Sequence, residues 1–330
     1  MRRDVADTLR CRGGHASRPW EDGMSDIDYF SAAVGIALAH EARIAAGVAS
    51  KLLLEAPLTE IANAQDFVSW LSANPGAGCT LSEETIRRGQ DITNRTRDAG
   101  VEVIPITSAR YPTYLRVIED PPPVIFLRGN IDLLKAPPGV SVVGTRKASP
   151  AGLKIAERIA FHFAERRWTI VSGLAMGIDA AAHRGALRCN GATIAVLAHG
   201  LQSASPKANA LLGEHILDAG GAWLSEHPLG APARPEYFVL RNRIQIGLSA
   251  GSIIVEGEER SGTMTQAEFC LRNRRHLFAV LPEKAEELKL VSKAPLILIN
   301  KRGATPLRSR DDYDSAARAM EQKRAALSTA

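Results

Sequence analysis

The stretch SVVGTRKASPAGLKIAERIAFHFAERRWTIVSGLAMGIDAAAH, residues 141–183, decides the fold. It opens on a short apolar run that ends in the turn Gly144-Thr145-Arg146-Lys147, and Pro150 then begins a helix with regularly spaced apolar residues. A second apolar run, 168–171, leads through Ser172-Gly173 and Gly177 into another helix. Two successive strand-to-helix turns predict parallel strands whose carboxyl ends share one crevice.

Both turns have the composition of an anion-binding site. Glycines let the backbone approach a ligand closely, and free amides at the start of a helix point at negative charge. Arg146 and Lys147 add two cations, and an arginine fork can bind a phosphate through two hydrogen bonds, which a lysine cannot match. Either turn alone is equally explained by a tight turn with solvated cations. The two together predict a phosphate site that includes Gly144, Thr145, Arg146, Lys147, Ser172, Gly173 and Gly177.

The chain continues as short apolar strands that alternate with helices. Strands are predicted over 193–197, 222–225, 252–256 and 276–281, helices over 206–219, 237–248 and 261–274, and a late strand over 296–299. Together with the opening stretch, this alternation predicts an α/β fold with an extended, Rossmann-like, doubly wound and mostly parallel sheet.

Three further segments are candidates for the same crevice. Arg241-Asn242-Arg243 starts near the beginning of a helix, and because its two arginines cannot share a helix face, only one is expected to enter the crevice. We predict Arg243. Ser261-Gly262-Thr263 opens the next helix and offers amides and hydroxyls to a phosphate, although an ordinary N-cap explains it equally well. Lys207 is expected to add charge.

The chain divides into four predicted parts. Residues 1–25 are a predicted disordered tail without the apolar core of a signal peptide, in which Met24 is a plausible alternative start. Residues 26–100 form a helical domain, broken at 74–78 and capped at Ser82. Residues 101–307 form the Rossmann-like domain, and residues 308–330 a charged surface helix with a frayed end. This last part is too short for a winged helix.

Composition restricts the class of protein. The chain is 45% hydrophobic and 23% charged, as in a globular protein, and its net charge of +5 is compatible with a polyanionic partner. Aromatic residues are only 5% of the chain, which argues against DNA contacts dominated by base stacking. The cysteines at 11, 79, 189 and 270 are scattered, so we expect no metal site, no disulfide framework and a reducing cytoplasm. No apolar run approaches the ~20 residues of a membrane helix.

Several enzyme motifs are excluded. Gly247–Gly251 has the hydrolase string G-x-S-x-G, but a predicted helix precedes the serine and a strand follows it, the reverse of what that motif needs. The first turn lacks the G-x-G-x-x-G of dinucleotide binders, and no Walker lysine motif occurs. Asp179 and His183 lie four apart on one helix face and form a possible acid–base pair. We expect instead that Asp179 caps the helix and that His183 bonds inside the fold.

Four motifs then occur in order: GTRKASPAGLKIAERIA, VSGLAMGIDAAAHRGAL, FVLRNRIQIGLS and ERSGT. Over residues 101–281 the chain resembles the Smf/DprA family of DNA-processing proteins. The resemblance implies a homodimer that binds single-stranded DNA, protects incoming DNA in natural transformation and loads a RecA-type recombinase. It implies no catalytic residue, metal or cofactor, and it makes Arg146 a phosphate-contacting residue. The loop 198–206 and Gln266 depart from the family pattern at positions expected to line the pocket.

A nucleotide sensor or a nucleoside-monophosphate-cleaving enzyme is the alternative. Rossmann-like enzymes of that kind carry the string G-G-x-G-T-x-x-E. Here Gly262-Thr263 is followed by Gln266 where the glutamate would stand, and Glu268 lies two positions too late to share its helix face. The sequence therefore favours DNA binding over this hydrolysis.

Overall fold

The computed structural model describes residues 24–74 and 78–328. The predicted N-terminal tail lies outside these ranges except for Met24 and Ser25, as do residues 75–77 of the predicted break and the last two residues of the C-terminal tail. Ser25 begins the described fold as a helix cap, because its Oγ accepts the amide of Asp28 at 3.1 Å.

The described residues form twelve α-helices and nine strands. The helices are α1 (Asp26–Ile36), α2 (Ala46–Glu55), α3 (Ala64–Ala73), α4 (Glu83–Asp98), α5 (Thr113–Arg116), α6 (Pro150–Glu165), α7 (Ile178–Leu187), α8 (Ala210–Asp218), α9 (Pro235–Gly247), α10 (Gly262–Arg272), α11 (Lys293–Arg302) and α12 (Asp312–Ser328). The strands are β1 (Glu102–Pro105), β2 (Val124–Gly129), β3 (Gly139–Val143), β4 (Ile170–Ser172), β5 (Thr193–Val196), β6 (Ala222–Ser225), β7 (Ser249–Ile254), β8 (His276–Val280) and β9 (Thr305–Leu307). Within the described chain, no helix is long and apolar enough to cross a membrane.

All nine strands form one sheet in the order β1-β2-β6-β5-β4-β3-β7-β8-β9. The seven strands from β6 to β9 are parallel, and β1 and β2 add an antiparallel edge. Strand order runs outward from β3 in one direction and from β7 in the other. The sheet is therefore doubly wound, as predicted, with its topological switch point between β3 and β7.

Alternating side chains bury both faces of the sheet. In β7, Ile253 packs beneath α6, α7 and α12, whereas Ile254 packs with α10 and α11 on the other face. In β5, Ala195 packs on the α8 side, whereas Ile194 contacts the core shared with α2, α3 and α4. Helices on both faces leave the ends of the strands as the accessible surface, so a ligand site falls at a sheet edge.

The N-terminal helices share a core with the sheet. Phe67 of α3 and Ile86 of α4 are fully buried in the same cluster as Ile125 of β2 and Leu224 of β6. Within the predicted helical domain, α1 gives way to a π-helical turn at Ala37–Glu41 before α2 starts. Ser82 caps α4 as predicted, since its Oγ accepts the amide of Thr85.

Two predictions near the C-terminus are wrong. Residues 296–299 lie within α11, which ends at Gly303 in the left-handed conformation (φ 71°), and the late strand is Thr305–Leu307. The C-terminal helix is not confined to the surface either. Tyr313 and Met320 of α12 are buried against the sheet, and Leu327 reaches the core beside α5.

Candidate functional site

A cleft of about 640 Å³ opens at the carboxyl ends of β3 and β7, at the switch point of the sheet. Four segments line it: the turn after β3, residues 175–179 at the start of α7, helix α9 and the start of α10. Its walls include the predicted residues Gly144, Thr145, Arg146, Lys147, Arg241, Asn242, Ser261, Gly262 and Thr263. The structure thus brings together four segments that are distant in the sequence.

Several backbone amides that were expected to face an anion already have partners. The amide of Thr145 donates to the carbonyl of Glu256 at 2.9 Å, and that of Lys147 donates to Thr145 Oγ1. The amide of Gly173 donates to Asp179 Oδ2 at 3.2 Å. These three amides are therefore not available to an anion, and the charge at the first turn comes from side chains. Arg146 and Lys147 are both exposed.

No side chain of the N-cap residue caps the backbone amides at the start of α10. Ser261 occupies the N-cap position, but its hydroxyl donates to the carbonyl of Glu258 at 2.7 Å and caps no amide of α10. A Cβ added to Gly262 would meet no protein atom within 4 Å. The first turn of α10 therefore faces open space in the cleft, as an anion-binding helix end requires.

Arg241, and not Arg243, is the arginine of α9 that faces the cleft. Its Nη1 donates to the carbonyl of Gly173 at 2.5 Å, and its Nη2 lies 3.6 Å from Asp179 Oδ2. Its Nε is buried without a protein partner. Burial lowers the pKa of Arg241, against the charge of Asp179, and Arg146 lowers it further. The cleft thus holds a fixed guanidinium with one donor unused.

Phe238 lies between the two cleft arginines. Its ring centroid is 5.1 Å from the guanidinium carbon of Arg146 and 5.4 Å from that of Arg241, both within cation–π distance. Phe238 was not predicted from the sequence, because aromatic residues were considered only as platforms for base stacking. Its position three residues before Arg241, one turn away on the same helix, was the available signal.

Arg243 points the other way, into the core. Its Nη1 and Nη2 donate to Glu226 Oε1 and Oε2 at 2.7 and 2.6 Å, and its Nε donates to the carbonyl of Asp120. Only 2% of Arg243 is exposed. Burial opposes ionisation of Glu226, but the charge and hydrogen bonds of Arg243 outweigh it and lower the pKa of Glu226 to about 2. The prediction that Arg243 enters the crevice is wrong.

Four other predicted residues, Ser172, Gly173, Gly177 and Lys207, do not line the cleft. The hydroxyl of Ser172 donates to the carbonyl of Val142, and Lys207 is exposed on a 3-10 turn beyond the cleft wall. Gly177 is required by geometry, because its φ is +82° and a Cβ would lie 2.3 Å from the carbonyl oxygen of Thr145. Gly173 lines an adjoining chamber of about 350 Å³ that also contacts Met176 and Pro206.

Asp179 and His183 do not form an acid–base pair. Asp179 is the second residue of α7 and bonds to Gly173 and Arg241, so it does not cap the helix as predicted. His183 Nδ1 lies 2.8 Å from Thr193 Oγ1 inside the fold, and burial lowers the pKa of His183 to about 3. Among the described residues, no group of three carboxylate, histidine or cysteine side chains is placed to hold a metal ion.

The other acidic residues near the cleft are either already hydrogen-bonded within the fold or do not line the cleft. Both carboxylate oxygens of Glu256 accept backbone amides, from Ser149 at 3.0 Å and Val291 at 2.8 Å, and Glu256 is fully buried. Glu268 is exposed on α10 and does not line the cleft. At the position of the hydrolase glutamate, Gln266 donates to Ser141 Oγ, and its buried Oε1 has no protein partner.

A doubly wound α/β sheet with arginines at its switch point places the chain in the class of Rossmann-like proteins with a cationic ligand cleft. A family model described as "DNA recombination-mediator protein A" matches residues 102–317, which include every segment of the cleft. The chain belongs to this family, which confirms the resemblance found in its motifs.

Three named relatives are similar to this chain. "DNA processing protein DprA" of Bacillus subtilis (strain 168) is 39% identical over 184 residues, 56% of this chain and 62% of the relative. "DNA processing protein DprA" of Streptococcus pneumoniae (strain ATCC BAA-255 / R6) is 42% identical over 170 residues, covering 52% and 59%. "Protein Smf" of Escherichia coli (strain K12) is 40% identical over 178 residues, covering 54% and 47%. The matches thus span about half to three fifths of the relatives' length.

Two solved structures are similar in fold. The X-ray structure of DNA processing protein A from Streptococcus pneumoniae matches with a TM-score of 0.69 and 30% identity, covering 84% of this chain and 95% of that one. A structure of DNA processing protein A from Helicobacter pylori, whose subject is its single-stranded DNA binding mode, matches with a TM-score of 0.58 and 25% identity. It covers 66% of this chain and 96% of that one.

Proposed function

We propose that the chain binds single-stranded DNA through its phosphates in the switch-point cleft and acts without catalysis. The observation that carries this proposal is the pair of guanidiniums, Arg146 and Arg241, which both lie within cation–π distance of Phe238. Lys147 adds a third cation, and Asp179 is the one carboxylate that lines the cleft within the described chain. The single-stranded DNA binding named for the Helicobacter pylori relative supports this assignment.

The two arginines have different roles in the proposed site. Arg241 is immobilised by Gly173 and Asp179 and contributes a fixed positive charge. Arg146 is exposed and adjusts to the ligand, with the ring of Phe238 limiting its positions. Asn242 donates to the carbonyl of Gly262 at 3.3 Å and so joins α9 to the open end of α10. A phosphate in the cleft then meets cations from α9 and amides from α10.

The test is a titration of single-stranded DNA against the wild type, Arg146→Ala and Arg146→Lys. Losing a charge-assisted contact to phosphate costs roughly 1.5–3 kcal/mol, which is about ten- to a hundredfold in affinity. Arg146→Lys should restore only part of the loss, because lysine lacks the fork. Affinity should also fall with salt by about 0.7 log units per log unit for each phosphate neutralised, with little dependence on base sequence.

Arg272→Ala is a suitable control because Arg272 is an exposed arginine at the end of α10 and does not line the cleft. It should bind DNA like the wild type. Equal losses in Arg146→Ala and Arg272→Ala, or a flat salt response with strong base preference, would contradict the phosphate site.

The wider role follows from family membership and is part of the same proposal. We infer that the protein protects incoming DNA in natural transformation, forms a homodimer through the Rossmann-like region and loads a RecA-type recombinase in the cytoplasm. Light scattering at rising protein concentration tests the dimer. RecA filament formation on DNA coated with a single-strand-binding protein, with and without this chain, tests the loading.

A further inference from the structure

A second cluster of cations lies at the carboxyl ends of β8 and β9. A cleft of about 170 Å³ there is lined by Arg158 of α6, Arg308 and Arg310 of the segment before α12, and Tyr313. Val280 and Leu307 form part of its apolar wall, and no carboxylate among the described residues lines it. It shares no lining residue with the switch-point cleft.

These arginines lack anionic partners. In residues 24–74 and 78–328, the side chains of Arg308 and Arg310 form no ion pair, and Arg158 Nε is buried without a hydrogen bond. The nearby Asp312 is occupied, because its Oδ2 accepts the amides of Arg308 and Ser309 at 2.7 and 2.9 Å. Three guanidiniums around an uncharged wall favour an external anion.

Helix α6 connects the two clefts. Lys147 lines the switch-point cleft immediately before α6, and Lys154 and Arg158 lie four residues apart on one side of this helix. Pro150 and Arg158 are separated by about 12 Å along the helix axis. A strand that leaves the main cleft over the first two turns of α6 therefore meets a row of cations that ends at the arginine cluster.

We propose that Arg158, Arg308 and Arg310 bind a backbone phosphate of the same DNA strand that occupies the switch-point cleft. The inference rests on the proposed function, because it extends the path of that strand. The ligand class is a phosphodiester, and the cluster serves as a second point of attachment that a very short ligand cannot reach while it fills the main cleft.

The test uses the full chain with Arg308→Ala/Arg310→Ala, since these exposed side chains can be removed without breaking an ion pair of the fold. Arg318→Ala is the matched control, an exposed arginine of α12 that bonds only to Ser315. Each is titrated with a 5′-phosphorylated dinucleotide and with an oligonucleotide of about 16 nucleotides. For the oligonucleotide, we expect the double variant to lose about tenfold in affinity and to lower the salt slope by about 1. For the dinucleotide, we expect no change.

Each other outcome has a definite meaning. If the double variant binds the oligonucleotide like the wild type while Arg146→Ala loses affinity, the second site is overturned and the proposed function stands. If Arg146→Ala also binds normally, the proposed function itself fails. Equal losses in the double variant and in Arg318→Ala would indicate general surface charge and overturn the second site. So would a loss that includes the dinucleotide, since the cluster would then take a small anion independently of the strand.

Discussion

The two sides of α9 use the same residue type for opposite purposes. On the cleft side, Arg241 pairs with Asp179 only at 3.6 Å and contacts Phe238, which also contacts the exposed Arg146. On the core side, Arg243 donates hydrogen bonds to Glu226 and Asp120 and is almost wholly buried. The difference shows that one Arg-Asn-Arg motif can contain both a binding residue and a residue that stabilises the fold. The hydrogen-bond and ion-pair partners of each arginine, and not the residue type, distinguish the two roles.

The largest effect is expected on the core side. Arg243→Ala leaves Glu226 buried without its partner, and breaking a buried ion pair in this way costs about 3–5 kcal/mol of unfolding free energy. Urea unfolding of the wild type and the variant measures the loss. The double variant Glu226→Leu/Arg243→Met should recover most of it, because neither charge then remains buried. A loss below about 1 kcal/mol in Arg243→Ala would remove the distinction between the two sides of the helix.

Acid should lower the unfolding free energy through the groups on the core side of α9, whereas the arginines of the cleft stay charged. The pKa of Glu226 falls from 4.5 to about 2 on folding, so its contribution is complete above pH 4.5 and is lost as the pH falls towards 2. This loss is about 3 kcal/mol. Burial also lowers the pKa of His227 to about 4, which adds a loss that begins near pH 6.5. Urea unfolding across this range should show both windows. The Glu226→Leu/Arg243→Met variant should not show the loss of stability between pH 4.5 and 2. If this variant still loses stability in that range, groups other than Glu226 cause the loss.

The smallest effect is expected from Phe238→Leu on the cleft side. Removing the ring loses the cation–π contacts with Arg146 and Arg241 and releases Arg146. The contact with the exposed Arg146 is worth about 0.5–1 kcal/mol. Affinity for single-stranded DNA should fall about three- to tenfold, and Phe238→Tyr should restore it. The unfolding free energy should change by less than in Arg243→Ala. If Phe238→Leu/Arg146→Ala loses the full sum of the two single effects, the ring does not act through Arg146.

The sequence was sufficient for the sheet and for most of the cleft wall. Glycine turns after apolar runs identify strand ends, and strand ends of a parallel sheet meet at one edge, so Gly144, Arg146 and Gly262 were placed together. The helical period also showed that Arg241 and Arg243 point about 200° apart. It could not show which of them faces the cleft, because that depends on Glu226, which lies on a different strand end.

Other errors have similar causes. The run Leu296–Ile299 is apolar without a clear period, and such short runs fit a strand or a buried helix equally well. The amides of Thr145 and Gly173 bond to acceptors just after β7 and on α7, and nothing local in the sequence specifies such bonds. The turn sequence fixes where a backbone can approach a ligand, whereas long-range contacts decide which amides remain available.

The distribution of the cleft over the chain has a consequence for biosynthesis. Arg146 and Gln266 face the same space but are about 120 residues apart, and α9, which carries Phe238 and Arg241, lies between them. At about 5–20 residues per second, the ribosome needs roughly 10 s to make that segment. A nascent chain therefore exposes Arg146 well before the partners that complete the cleft exist. If the proposed site is correct, the emerging polypeptide cannot capture DNA until synthesis has passed α10.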